Sequence, residues 1–165
     1  CDLGHERIGY IAGWEGASTQ RDREAGFLAG LRAHNKTLYA REVGDFHADR
    51  TKTATLAMFD KPANERPDAV FVANDHMAFV VMDILRHDLG LRVPEDISVV
   101  GYDDVPPAAW RSYDLTTVRQ RANLMVEQTV ATILHHIEHP NQMTPKKIQI
   151  DSPLIIRSST RQERK

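Results

Sequence analysis

Hydrophobic positions along the chain follow two alternating rhythms. Short, nearly continuous apolar runs are separated by longer stretches in which apolar residues recur every three to four positions. That is the pattern of strands alternating with amphipathic helices. Residues 7–12 (Arg-Ile-Gly-Tyr-Ile-Ala) are the first predicted strand. A loop of small and polar residues, 13–18, leads into a helix to about residue 34, with Ser18 as its cap and Ala25, Phe27, Leu28 and Leu31 turned inward. Residues 39–44 form a second strand, followed by a helix over 49–59 with Ala54, Ala57 and Met58 inward, which the two prolines of 61–67 end. A buried strand at 69–73 closes on Asn74-Asp75. The next helix, 76–89, carries Met77, Val81, Ile84 and Leu85 on one stripe and stops at Gly90.

Residues 93–104 (Val-Pro-Glu-Asp-Ile-Ser-Val-Val-Gly-Tyr-Asp-Asp) are the most informative stretch. Residues 97–100 read as a short buried strand. Gly101 then lets the backbone leave the sheet and sets Asp103 and Asp104 just past its carboxyl end, where open α/β sheets bind their ligands. A strand at 116–118 precedes a helix over 122–138 with Val126, Val130, Ile133, Leu134 and Ile137 on one face, stopped by Pro140 and Asn141. Strand-like runs at 147–150 and 154–157 come before a charged tail expected to fray. The order predicts an α/β fold: a doubly wound parallel sheet with helices on both faces.

The 165 residues suffice for one domain with a real core. A net charge of −2 offers no basic excess for a nucleic-acid surface. No apolar run approaches the roughly 20 residues of a membrane span, and no charged-then-apolar leader is visible, so a cytoplasmic setting is expected. The single cysteine excludes an internal disulfide and fits a reducing compartment. As Cys1 it reads as the point where numbering starts, rather than as a lipidated terminus.

Four predicted strands end alike, in Gly13-Trp14-Glu15, Gly44-Asp45-Phe46, Asn74-Asp75 and Gly101-Tyr102-Asp103-Asp104. In a doubly wound sheet these ends share one rim, giving it carboxylates, an amide and aromatic faces. Such a mixture suits a polyhydroxy ligand: carboxylates accept from hydroxyls, amides give and accept, and rings cover apolar sugar faces. Asp75 is expected to cap the following helix, Asp104 either to cap or to bind, and Asp103 to bind. Trp14 either lines the pocket or roofs the core. No phosphate loop, dinucleotide fingerprint or nucleophile elbow occurs. His135 and His139 lie four apart on a helix, but cationic side chains near a helix carboxyl end commonly answer its dipole. No catalytic residue, metal or cofactor is therefore expected, and the chain does not read as an enzyme.

Five segments carry a resemblance: Arg7-Ile-Gly-Tyr-Ile-Ala-Gly, Arg23-Glu-Ala-Gly-Phe, Val72-Ala-Asn-Asp-His-Met-Ala, the 93–104 stretch, and Leu115-Thr-Thr-Val-Arg-Gln. In this order and spacing they resemble the sugar-sensing domain of the LacI/GalR family of bacterial transcription regulators, over nearly the whole chain. The resemblance implies a periplasmic-binding-protein-like lobe. Residues 1–118 would be the second lobe of an effector-binding core, 119–150 a crossover segment normally belonging to the first lobe, and 151–165 the return strand and tail. It also implies effector contacts at Arg23, Asn74 and Asp103, an aromatic wall at Phe46, and Gln120 near the hinge crossing. Arg23 has the alternative of being a solvated helix charge.

The implied function is sensing of a sugar or related small polyhydroxy effector, with homodimerisation, in a regulator that meets DNA only through a helix-turn-helix head outside this chain. The implied dimer surface is the 76–89 helix with the apolar loop 105–110. An alternative is one lobe of an extracytoplasmic sugar-binding receptor of an ABC transporter, which shares the architecture. The helix over 122–138 needs cover in any of these settings. Leaving its five aliphatic side chains exposed forfeits about 7–15 kcal/mol at about 1.5–3 each, against a whole-domain stability of about 5–15 kcal/mol. It is expected to fold onto its own lobe or to dock on another copy.

Overall fold

The computed structural model describes residues 1, 3–139 and 147–162. Six strands form one sheet: β1 (Ile8–Ala12), β2 (Ala40–Val43), β3 (Ala69–Val72), β4 (Ser98–Asp103), β5 (Thr116–Arg119) and β6 (Leu154–Ile155), in spatial order β2-β1-β3-β4-β5-β6. The first five run parallel and β6 is antiparallel to β5. Helices α1 (Ser18–Ala33), α2 (Ala48–Phe59) and α3 (Asp75–Asp83) connect the first four strands, and α4 (Ala122–Glu138) follows β5. With right-handed crossovers, α1 lies on one face while α2 and α3 share the other. Side chains agree: a Cβ on Gly9 would meet Met58 of α2, whereas the Tyr10 and Phe71 rings meet Phe27 of α1, with centroids 5.4 and 5.1 Å away. Fold class and parallel order are as the alternating pattern predicts.

Several details differ from the sequence reading. Ala17, not Ser18, is the N-cap of α1, and no side chain caps it. Ala25 and Ala57 face solvent, because Phe27 and Leu31 in α1, and Thr51, Ala54, Thr55 and Met58 in α2, set the buried faces. The third helix ends at Asp83 and continues as a π turn over Ile84–Asp88. Residues 147–150 are not a strand. Nor does the tail fray at once: Ser159 is fully buried, its hydroxyl donates to Val99 O at 2.6 Å, and its carbonyl accepts from Val99 N at 2.8 Å. Residues 157–161 thus wedge between the amino ends of β4 and β5. The stop at Pro140 and Asn141 lies outside the described residues.

Helix α4 matches its predicted span, yet none of its residues is buried. Of the two covers expected for it, folding back onto its own lobe is not what occurs. The loop after β4 divides its apolar residues: Ala108 is fully buried and Val105 packs on the core, while Trp110 is 59% exposed.

At the far end of the sheet, His5 is buried, and neither ring nitrogen has a hydrogen-bond partner among the described residues. Its Nδ1 lies 3.5 Å from Asp68. Burial lowers the His5 pKa below its ordinary 6.5, outweighing the attraction of Asp68. A base with a depressed folded pKa contributes stability above its unfolded value and loses it as pH falls through the folded one. Urea midpoints should therefore drop as pH falls below about 6.5, and His5→Phe should flatten that drop. Identical pH slopes for the two proteins would refute the assignment.

Candidate functional site

The carboxyl ends of β1, β3, β4 and β5 meet at one rim, and Arg23 of α1 reaches across it. Its guanidinium donates to Ala73 O at 2.6 Å and to Asp103 Oδ1 at 3.3 Å, and its Cζ stands 4.1 Å above the Tyr102 ring. The solvated-charge alternative for Arg23 is thereby removed, since its side chain is only 14% exposed. Gln120, just beyond β5, donates through Nε2 to the same Asp103 oxygen. Asp103 therefore collects a guanidinium and an amide while keeping 21% of its side chain open to solvent.

Backbone geometry aims this carboxylate. Strand alternation would place Asp103 with Val99 and Gly101, on the face opposite Tyr102. Its φ of 128° turns the side chain instead toward Arg23, which covers Tyr102. Asp104 follows at φ 58°. Aspartate tolerates such conformations better than most residues, so acids at both positions suit the turn as well as the chemistry. The exit from the sheet happens here and not at Gly101, which lies within β4 and is buried.

Two neighbouring carboxylates hold the turn in place. Asp104 pairs with Arg119 and, at 2.7 Å, with Arg157. Burial alone would raise its pKa, but the two guanidinium bonds outweigh it and hold the carboxyl below the ordinary range. Asp75 is fully buried and accepts from the Thr117 hydroxyl and from Val105 N at 3.0 Å. Burial pushes its pKa up, and these donors oppose the shift. Asp75 is thus a clamp between β5 and the loop after β4. The cap of α3 is Asn74, whose Oδ1 accepts from Met77 N at 3.0 Å. The Asn74 amide nitrogen has no bonded partner among the described residues.

Phe46 closes the other end of the rim. It has a φ of 56°, and its ring lies over Gly13, where a Cβ would come within 2.1 Å of it. Gly13 is itself held from below by Gln20, whose Oε1 accepts from Gly13 N at 2.8 Å and from the Tyr10 hydroxyl at 3.1 Å. Burial pushes the Tyr10 pKa up to about 12, against the bond to Gln20. Trp14 is 59% exposed and roofs no core. Of the five expected contacts, Arg23, Asp103 and Gln120 bond directly. Asn74 stands beside Ala73, to which Arg23 bonds, and Phe46 lies over the end of β1. Tyr102, Gln20 and the Asp104 bracing by Arg119 and Arg157 were not anticipated. Tyr102 alone had a readable sign, since strand alternation puts it with Val100 on the α1 face.

The rim therefore gathers fixed donors and acceptors around a partly open carboxylate. Among the described residues, no group of three or more His, Cys, Asp or Glu could hold a metal ion. No described helix is long and apolar enough to cross a membrane.

A mostly parallel sheet flanked by helices, with a polar rim at its carboxyl edge, is the architecture of a periplasmic-binding-protein-like domain. The chain belongs to the periplasmic binding protein-like domain family, which it matches over residues 1–160, and within it to the LacI/GalR type of regulator domain. It is 36% identical to the HTH-type transcriptional repressor PurR of Yersinia enterocolitica over 160 residues, covering 96% of this chain and 46% of that protein. It is 32% identical to PurR of Photobacterium profundum, covering 97% and 47%. The lac repressor dimer bound to operator and the anti-inducer ONPF superposes with a TM-score of 0.85 at 31% identity, over 96% of this chain and 54% of that one. The transcriptional regulator CelR in complex with cellobiose gives 0.84 at 31% identity, over 96% and 48%. The chain thus spans about half the length of these relatives, and it is homologous to the effector-binding domains of LacI- and PurR-type regulators.

Proposed function

We propose that this chain is the effector-sensing lobe of a LacI-type transcription regulator, with the rim around Asp103 as its half of the ligand cleft. The observation that carries this reading is the Arg23–Asp103–Gln120 cluster, held by backbone turns and partly open to solvent. Asp103 accepts hydroxyl protons from the ligand. Arg23 and Gln120 donate to its oxygens, the Asn74 amide adds a further donor, and the Phe46 ring covers an apolar face. A sugar or similar polyhydroxy molecule matches this set, and the cellobiose complex of a structural neighbour supports it.

In this reading residues 1–118 form the second lobe, 119–150 cross to a first lobe, and 151–165 return. Effector bridging the two lobes favours their closed arrangement and so shifts the orientation of DNA-binding heads. The lobe acts by binding and carries no catalysis, in the cytoplasm, in a homodimer formed around α3 and the exposed Trp110. The receptor-lobe alternative draws no support from relatives that are transcriptional repressors. A thermal-shift screen of sugars and nucleosides on a regulator containing both lobes tests the proposal. A ligand at 100 times its Kd should stabilise by about 2.7 kcal/mol. No shift with any member of a broad sugar and nucleoside panel would count against it.

A further inference from the structure

At the Phe46 end of the rim, a chain of hydrogen bonds runs from β2 through α1 to the backbone beneath the ring. The Ala12–Gly13 peptide there is held on both sides. Its carbonyl, Ala12 O, accepts from Gly44 N at 2.8 Å and Asp45 N at 3.3 Å, the two residues that lead into Phe46. Its amide, Gly13 N, donates to Gln20 Oε1 at 2.8 Å. A peptide unit is planar, so the bond to Gln20 also sets the tilt of the carbonyl that carries the Phe46 loop.

Gln20 is 1% exposed, so bulk water does not orient its amide. Nor does Tyr10: its hydroxyl lies 3.1 Å from Oε1 and 2.9 Å from Nε2, and a hydroxyl both gives and accepts. The groups that decide are Gly13 N–H, which only donates, and the Glu24 carboxylate, which only accepts. Glu24 Oε2, one helical turn on, takes the Gln20 Nε2 donor at 3.1 Å. Arg41 of β2 holds Glu24 by a fork, Nε to Oε1 at 2.6 Å and Nη2 to Oε2 at 3.0 Å. That fork keeps the Glu24 carboxyl below its ordinary 4.5, against the effect of burial, so the acceptor stays ionised. The same Nη2 reaches Glu15 Oε1 at 2.9 Å, in the loop that Gly13 opens. Every one of these contacts lies within the lobe.

We propose that Glu24, clamped by Arg41, is a positioning residue for the aromatic wall of the rim. It orients Gln20, and Gln20 fixes the Ala12–Gly13 peptide on which the Phe46 ring rests. The inference rests on the reading of Phe46 as a wall of the ligand cleft and adds what keeps that wall in register. The ring leaves no slack for a shifted backbone, since it lies where a Cβ on Gly13 would be, within 2.1 Å. Glu24 and Arg41 act through Gln20 and need no contact with ligand.

The test needs no effector. A regulator spanning both lobes is labelled with 4-fluorophenylalanine, and the Phe46 fluorine signal is assigned by its absence in Phe46→Leu. Glu24→Leu should shift that signal by more than its linewidth, while the signals of the buried Phe59 and Phe79 stay in place. Deuterium exchange at the Gly13, Gly44 and Asp45 amides should quicken by about 10-fold, the equivalent of one hydrogen bond, with β3 unchanged. Arg41→Met leaves the carboxylate acceptor in place and should give the same pattern at smaller size. Both side chains are partly exposed, 19% for Glu24 and 32% for Arg41, so the fold survives, which urea midpoints verify. An unmoved Phe46 signal with unchanged Gly13 exchange in Glu24→Leu would overturn the proposal. So would faster exchange spread evenly over β1 and β3, the mark of general loosening. A failure of the wall itself shows separately: Phe46→Ala would bind the sugar or nucleoside of largest thermal shift unchanged, and the inference would fall with it.

Discussion

Asp103→Ala should weaken effector binding by about 100-fold or more in a regulator spanning both lobes, while the melting temperature of the unliganded protein stays nearly unchanged. Hydrogen bonds to a charged group contribute about 1.5–3 kcal/mol each, and this carboxylate can accept from two ligand hydroxyls, so the loss corresponds to roughly two or more powers of ten. The fold should tolerate the change because Arg23 keeps its bond to Ala73 O and its place over Tyr102. The Arg23–Asp103 pair is itself partly exposed, and such pairs are worth about 1 kcal/mol or less. Asp103→Asn separates the charge from the geometry and should give an intermediate loss. Calorimetric titration with the ligand found by thermal shift measures both. Unchanged affinity for the alanine variant would remove Asp103 from the site.

Gly101→Ala should destabilise the lobe by roughly 3 kcal/mol or more, a large share of the about 5–15 kcal/mol that holds a domain together. A Cβ on Gly101 would stand 2.3 Å from Asp75 Oδ1 and 2.9 Å from Leu115 Cδ2. Neither neighbour can yield cheaply. The Asp75 carboxylate is held by Thr117 and Val105, and moving it strands a buried charge without its donors. Gly26→Ala is the matched control, since nothing lies within 4 Å of a Cβ there and an alanine in a helix gains about 0.5–1 kcal/mol over glycine. Urea melts should separate the two variants in opposite directions. Similar midpoints would show that the Asp75 clamp is softer than its contacts imply.

These two glycines show where reading the sequence runs out. Both sit in regular elements with ordinary neighbours along the chain. One is forced by a carboxylate 26 residues away and the other by nothing nearby. The same limit explains why Asp75 read as a cap: the adjacent Asn74 takes that role, and the partners of Asp75 arrive from β5 and the loop after β4. Residues 147–150 have a strand-like composition, but no described strand pairs with them. Ala25 and Ala57 mislead for a simpler reason, because a methyl group buries too little area to fix the phase of a helix.

Local chemistry and periodicity by themselves determined the alternation of strands and helices, the span of α4, and the acids and amide at the strand ends. Those properties depend on neighbours a few residues apart. Tertiary structure alone decided which of these groups meet. Arg23, Asp103 and Gln120 are separated by 80 and 17 residues, and only parallel strand order and the positive φ at Asp103 bring them to one point. It also decided that no described element buries the apolar stripe of α4, because burial depends on every element that packs against a face.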